Sequence, residues 1–393
     1  MEIALDAQRT AYREKARDWL ARNIPPNWKN GGHWPPLSED NEEAWLIDWE
    51  RKLYAAGYTG ISWPKAYGGQ GQDHLADFIF NEELGRLQAP ESINVIGREL
   101  VGPIMLSVGT EAQKAHYVPR ILKMEDIWCQ GFSEPNAGSD LASIKTRAIQ
   151  NGDRWVINGQ KIWTSYAHFA THCILLARTN MEVSPYQGMS LFMVRMDTPG
   201  IDVRAIPHLG GQRHFNEVFF TDVEVDGAQM IGPIHGGWKV AVEVLGFERA
   251  TTRLYRQARF TEELRTLAAL VRDDNRSTAN GAKDEIGKIA AELEIMRYHN
   301  LRFISRLHEG ARIGEEASFL KLFWSQLHQR IAGLGLTLLG SEFNANTPIA
   351  EQFRRIYFRA RGETIYAGSS QIQRNILAER VLGLPRGERR MKT

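Results

Sequence analysis

Along the first third of the chain the apolar positions recur at helical intervals. Trp45, Leu46, Trp49 and Leu53 line one side of an α-helix, and Ser38 stands where an N-cap would open it. The Gly- and Pro-dense stretch GYTGISWPKAYGGQGQD (57–73) then predicts a loop, and helical patterning resumes at about His74–Leu87 and Thr110–Leu122. Near Ile127 the period changes. In TRAIQNGDRWVINGQKIWTS (146–165), Asn151-Gly152 and Asn158-Gly159 separate short β-prone runs, which predicts an antiparallel meander with a hairpin at each pair. The runs CILLAR, MSLFMVR, IDVRAI and FNEVFFTDVEV carry the strand pattern to about Val225, and strands at this spacing predict a small barrel or paired sheets. Helices return after GPIHGGW. Apolar residues at 286, 289, 293, 296, 301, 304 and 307 form one long stripe, and SFLKLFWSQLHQRIAGLGLTLLG is apolar over a broader arc, as in a bundle. The polar stretch RDDNRSTANGAKD (272–284) predicts a loop or insert. The expected class is α+β multidomain: a helical domain over 1–126, a central antiparallel β-barrel over 127–234 and a C-terminal helical bundle over 235–393.

Composition narrows the function classes. With 393 residues, 43% of them hydrophobic, the chain has material for two or three domains. Its 48 basic and 47 acidic residues nearly cancel, so no global field exists to recruit nucleic acid or an anionic membrane. The two cysteines, Cys129 and Cys173, are too few for a disulfide framework and fit a reducing compartment, as core residues. Charged residues interrupt the N-terminal apolar positions, and no run reaches membrane-spanning length; a soluble cytoplasmic protein is expected, without membrane insertion. The eleven histidines include no ligand-spaced cluster, so no metal site is expected, and GGQGQ lacks the Lys-Ser/Thr of a phosphate-gripping loop.

Chemistry concentrates in WCQGFSEPNAGSDLASIKTRA (128–148). A strand runs into a loop from Ser133 to Ser139 whose small residues permit close backbone approach to a ring or phosphate and whose hydroxyls can bond it. Downstream, Trp163, Thr164 and Ser165 set a flat indole beside two hydroxyls, a combination suited to an aromatic cofactor. Taken singly, these segments read equally as a polar loop and a core tryptophan. In SSQIQRN, Ser369 or Ser370 reads as an N-cap, a position that also attracts anionic groups.

Together, YGGQG, SEPNAGSD, NGQKIWTS, FNEVFFTDVEV and GSSQIQRNILAERVLGLP resemble the acyl-CoA dehydrogenase family, in the family's order and over nearly the whole chain. The resemblance implies non-covalent FAD between barrel and bundle and α,β-dehydrogenation of an acyl-CoA thioester. That chemistry needs a base for the α proton and oriented donors for the developing enolate. Medium-chain members carry the base as a Glu just before the Gly of the C-terminal turn, where this chain has Ala367. A second group, acting on isovaleryl and long-chain thioesters, places it on an earlier helix directly before an Arg. The matching segment here is VEVLGFERATTR, so the resemblance implies Glu248 as base and Arg249 near the thioester, with Glu243 ranked below because it lacks the Glu-Arg match. Without that resemblance, Glu248-Arg249 reads as an ordinary solvated pair. Flavin contacts are implied at Phe132, Ser133, Ser139, Trp163, Ser165, Ser369 and Gln371, with Gln130 and Thr164 as weaker additions.

Two departures stand out. Tetrameric members supply an Arg-x-x-Phe-Gly segment across a subunit boundary, and VRDDNRSTANGAKD contains none; Thr337 replaces a Gln that helps hold the adenine portion. These losses resemble bacterial members built from two different subunits, several of which act on steroid side-chain thioesters. The expected partners are an acyl-CoA, an electron-transferring flavoprotein and further subunits, as a homo- or hetero-oligomer (dimer or tetramer). Two alternatives stay open: a flavin-poor partner subunit, and an oxidase or monooxygenase on the same fold.

Overall fold

The computed structural model describes residues 5–24, 28, 39–210, 213–247, 254–273, 281–311 and 314–386, the side chains of 39–42 and 273 excepted. Helices α1 (Ala7–Asn23), α2 (Glu39–Ala55), α3 (His74–Arg86), α4 (Gly102–Val108) and α5 (Glu111–Leu122) precede strands β1 (Trp128–Gly131), β2 (Arg147–Asn151), β3 (Arg154–Ser165), β4 (His172–Arg178), β5 (Met189–Arg195), β6 (Ile201–Ile206), β7 (Phe215–Asp226) and β8 (Met230–Ile231). Helices α6 (Gly237–Phe247), α7 (Arg256–Asp273), α8 (Ala282–His308), α9 (Ala317–Leu339), α10 (Pro348–Glu363) and α11 (Ser370–Ile376) follow. The chain divides into two compact units. One holds residues 1–36, 73–90 and 249–393; the other holds 37–72 and 91–248.

The first unit is helical. The stripe on α8 buries Ile289, Leu293 and Met296 against Leu264 and Leu267 of α7 and Leu327 and Ile331 of α9. Helix α9 buries residues around most of its circumference, as its broad apolar arc required. Helix α1 is mostly polar and burying only Ala16 and Leu20 would hold it weakly; Arg13 and Arg17 reach the buried Glu82 and Glu83 of α3 at 2.6 and 2.8 Å.

The second unit is built on the sheet, in the order β6-β7-β3-β2-β4-β5-β8, with β1 parallel to β4. Strand β4 is buried throughout because it has apolar neighbours on both faces. Ile174 and Leu176 join the core under α4–α6, while Cys173, Leu175 and Ala177 pack with Val218 and Phe220 of β7. Continuous apolar runs, rather than alternation, are what such strands need.

The central barrel is a correction: the sheet is open. Strands β6 and β8 each have one partner, β8 is two residues long, and β2 meets β4 through the single pair Arg147–Arg178. Strand number and spacing are the same for open and closed sheets, whereas closure depends on edge pairing that patterning does not carry. Two pairings, β1–β4 and β2–β4, are parallel rather than antiparallel.

The first Asn-Gly pair does turn the chain, joining β2 to β3 with Gly152 at φ 64°. The second does not. Asn158-Gly159 lies inside β3, at a register irregularity with β7. Gly159 is needed for another reason: a Cβ there would stand 2.7 Å from the Thr146 Cα. Ser38, the expected cap of α2, falls outside the described residues.

Candidate functional site

The candidate residues of the sheet unit converge on one bulge. Strand β3 pairs with β7 at Lys161–Val218 and again at Thr164–Asn216, so that Ile162 and Trp163 stand opposite the single residue Glu217. Trp163 takes φ 59°, a left-handed value that bulky residues rarely adopt, and its side chain is 57% exposed. One edge-to-face contact holds the indole, with Phe215 at 5.9 Å. A large flat ring is thus turned outward at a strained backbone position instead of being absorbed into the core.

The loop after β1 lies beside this bulge. The Ile162 amide donates to Ser133 O at 2.9 Å, and the Lys161 ammonium donates to Phe132 O at 2.9 Å. Glu134 and Ala137 exchange two backbone hydrogen bonds of 3.0 Å, closing the tight turn that the small residues permit. Phe132 is buried, Ser133 and Ser165 are half-buried, and Ser139 is exposed at the loop tip. Gln130 Nε2 and Thr164 Oγ1 are buried without a hydrogen-bond partner. Gln130, Phe132, Ser133, Trp163, Thr164 and Ser165 therefore come together, with Ser139 at the margin.

The helical unit presents the other candidates. The Ser369 hydroxyl accepts from the Ile372 amide as the N-cap of α11, and Gln371 is exposed on its first turn. The turn before it carries Ala367 at φ 55° and Gly368 at φ 82°. Gln373 Nε2 donates to Ala367 O at 2.8 Å and Lys321 Nζ to Gly368 O at 2.8 Å, so side chains from two helices hold this backbone.

Glu248 and Arg249 lie outside the described residues. Glu243, on α6, is hydrogen-bonded to the Ser107 hydroxyl of α4 at 2.5 Å. Thr337 turns its hydroxyl back to Gly333 O. Among the described residues no cluster of His, Cys, Asp or Glu could hold a metal, and no helix is long and apolar enough to cross a membrane.

Two residues escaped the sequence reading: Lys161 and Glu134. Lys161 is fully buried and bonded to Glu134 Oε1 at 2.9 Å. Its signal was available, since positions 155, 157, 159 and 161 alternate along β3 and Trp155 and Ile157 face inward, but a lysine in a strand reads by default as solvated.

Comparison with known proteins decides the class. Models of the N-terminal, middle and C-terminal domains of acyl-CoA dehydrogenases match residues 6–125, 129–223 and 235–382. The chain belongs to the acyl-CoA dehydrogenase family. It is 37% identical to acyl-CoA dehydrogenase IpdE1 of Mycobacterium tuberculosis, over 95% of this chain and 97% of that protein. Among solved structures, the Tcur3481-Tcur3483 steroid ACAD superposes with a TM-score of 0.87 at 27% identity, covering 98% of this chain and 100% of that one. The ChsE4-ChsE5 complex from Mycobacterium tuberculosis gives 0.82 at 26% identity, with 98% and 100% covered.

Acyl-CoA dehydrogenases are FAD-dependent flavoproteins, and FAD-dependent dehydrogenation of an acyl-CoA is the chemistry of this chain. Its own residues fit the cofactor. An outward indole, an adjoining small-residue loop with half-buried hydroxyls and the unpartnered Gln130 amide together offer a face and edge donors for a flat heteroaromatic ring.

Proposed function

We propose that this dehydrogenase removes the α proton of its acyl-CoA with Glu248, that Arg249 binds near the thioester, and that Phe132, Ser133, Ser139, Trp163, Ser165, Ser369 and Gln371 hold the flavin, assisted by Gln130 and Thr164. A bound FAD would supply the acceptor for the hydride of the β carbon. The observation that supports this reading most directly is the Trp163 bulge: a strained, outward indole beside the Ser133 loop has no evident core-packing role. Glu248 directly precedes Arg249 in the segment that follows α6, and Ala367 has no acid–base function. A carboxylate in a water-excluded pocket gains the basicity an α proton demands.

The names of the relatives suggest the substrate. A steroid ACAD and a two-component complex stand among the structural neighbours, so we infer a bulky, steroid-derived acyl-CoA and a hetero-oligomer. We further infer the division at 1–126, 127–234 and 235–393, an electron-transferring flavoprotein as acceptor, and a cytoplasmic setting that fits the two buried free thiols. One observation favours a second reading, a subunit that completes another protein's site: residues 271–284 contain no Arg-x-x-Phe-Gly segment.

Anaerobic bleaching of the purified flavoprotein by a panel of acyl-CoA thioesters, with mass analysis of the product, tests the proposal. Glu248→Gln should keep the yellow colour and lose turnover by at least about a hundredfold, the scale of general-base catalysis. Near-parental bleaching by that variant removes Glu248 from the role; a colourless chain that gains flavin only with a second subunit favours the partner reading.

A further inference from the structure

We infer that Lys161 and Glu134 are positioning residues of the flavin site: their buried ion pair holds the Phe132–Glu134 loop against the bulge that presents Trp163, before any cofactor arrives. The inference rests on the flavin reading of Phe132, Ser133 and Trp163 above.

A bulge costs a strand part of its ladder, so the residues beside it need other anchors. Lys161 supplies them on one flank. Its ammonium, 0% exposed, donates to Glu134 Oε1 and Phe132 O, each at 2.9 Å. Glu134 then ties the far end of the same loop, accepting from the Lys145 amide at 2.6 Å and the Thr146 amide at 2.9 Å. One carboxylate thus joins the entry of the loop, its exit and strand β3. On the other flank, the fully buried Asn216 donates to Thr164 O at 3.0 Å and lies 3.2 Å from His168 Nδ1, whose Nε2 meets Glu43 at 2.7 Å. Trp163 is therefore outward but pinned from both sides.

The chemistry of the pair favours positioning over simple stability. Burying an ammonium and a carboxylate is expensive, and apolar residues of similar volume commonly serve stability as well or better. Burial pushes the Glu134 carboxyl up, but the Lys161 cation and the amide donors outweigh it and hold it below its usual range. Burial lowers Lys161, with Glu134 offsetting part of the effect. What the charges give beyond apolar contacts is direction. Lys161 can satisfy Phe132 O only with the loop in this place, which sets the spacing between the Ser133 backbone and the indole.

The test uses the full chain stripped of flavin and titrated with FAD, followed by flavin fluorescence and by the visible spectrum of the bound cofactor. The double variant Lys161→Met/Glu134→Gln removes the pair as a pair. Its far-UV circular dichroism and melting temperature should stay near the parent's, its FAD dissociation constant should rise by about tenfold or more, as when a supporting shell is lost around a bound group, and its flavin bands should shift. A double variant with parental affinity and parental spectrum overturns the inference. A second measurement on the parent covers a variant that does not fold: amide hydrogen exchange at Lys145, Thr146 and Ile162 without FAD. Protection already present supports a preformed clamp; protection that appears only on adding FAD overturns it. A parent that takes up no FAD instead defeats the flavin reading, and the inference falls with it.

Discussion

Lys161 of the sheet unit and His328 of the helical unit are both buried cations, yet they are solvated by the protein in different ways. Lys161 faces one carboxylate and one backbone carbonyl. The His328 ring lies between two carboxylates, Glu363 at 2.5 Å from Nδ1 and Glu263 at 3.1 Å from Nε2, with Phe260 stacked on its face at 4.0 Å. Arg256 stands 3.6 Å from Glu363 and lies over the Trp324 ring at 3.9 Å. The first arrangement joins a loop to a strand and has one geometry. The second ties α7, α9 and α10 together through side chains alone and depends on an imidazole that must stay protonated. The contrast is between a clamp made partly of backbone and one made wholly of charge.

Breaking the sheet clamp should cost most. Lys161→Met alone leaves Glu134 buried without its cation, and about 3–5 kcal/mol should be lost in urea unfolding. A loss below about 1 kcal/mol would mean that water reaches Glu134 and the pair is not truly buried.

The helical clamp should give way to alkali. Burial lowers the His328 pKa, but Glu363 and Glu263 outweigh it and raise the group from 6.5 to about 9. A raised folded-state value stabilises fully below the unfolded value and ceases to do so above the folded one. Unfolding free energy should therefore decline between pH 6.5 and about 9, by up to about 3 kcal/mol. His328→Gln should flatten that window in a pH series of urea melts; an unchanged slope would assign it to other groups.

The smallest effect sharpens the comparison at a backbone site of the helical unit. Gln373→Ala removes the donor to Ala367 O and Gly368 O and should cost about 1 kcal/mol, with faster amide exchange confined to residues 364–370. Loosening that spreads through α10 would show that the turn and the His328 cluster form one cooperative element.

Much of the fold was legible. The helical patterns of α3, α5, α8 and α9 were readable because helical periodicity survives whatever the helix packs on. Gly159 misled because Asn-Gly announces a turn only when no other backbone needs the space, and Thr146 needs it here. Barrel closure was illegible, since it depends on whether β6 and β8 find a second partner. At the site, motif order picked out the Ser133 loop and Trp163. It passed over Lys161 and Glu134 because their meaning lies in their contacts, 11 to 29 positions away along the chain.

The Ala367–Gly368 turn has a consequence for how such enzymes diversify. Its left-handed backbone is held by Lys321 and Gln373 acting on carbonyl oxygens, and neither hydrogen bond involves the side chain at 367. A side chain can therefore be exchanged at this spot without redrawing the path of the main chain. Gain or loss of an acid group at position 367 is then a matter of one point substitution in a turn whose path is set by other side chains.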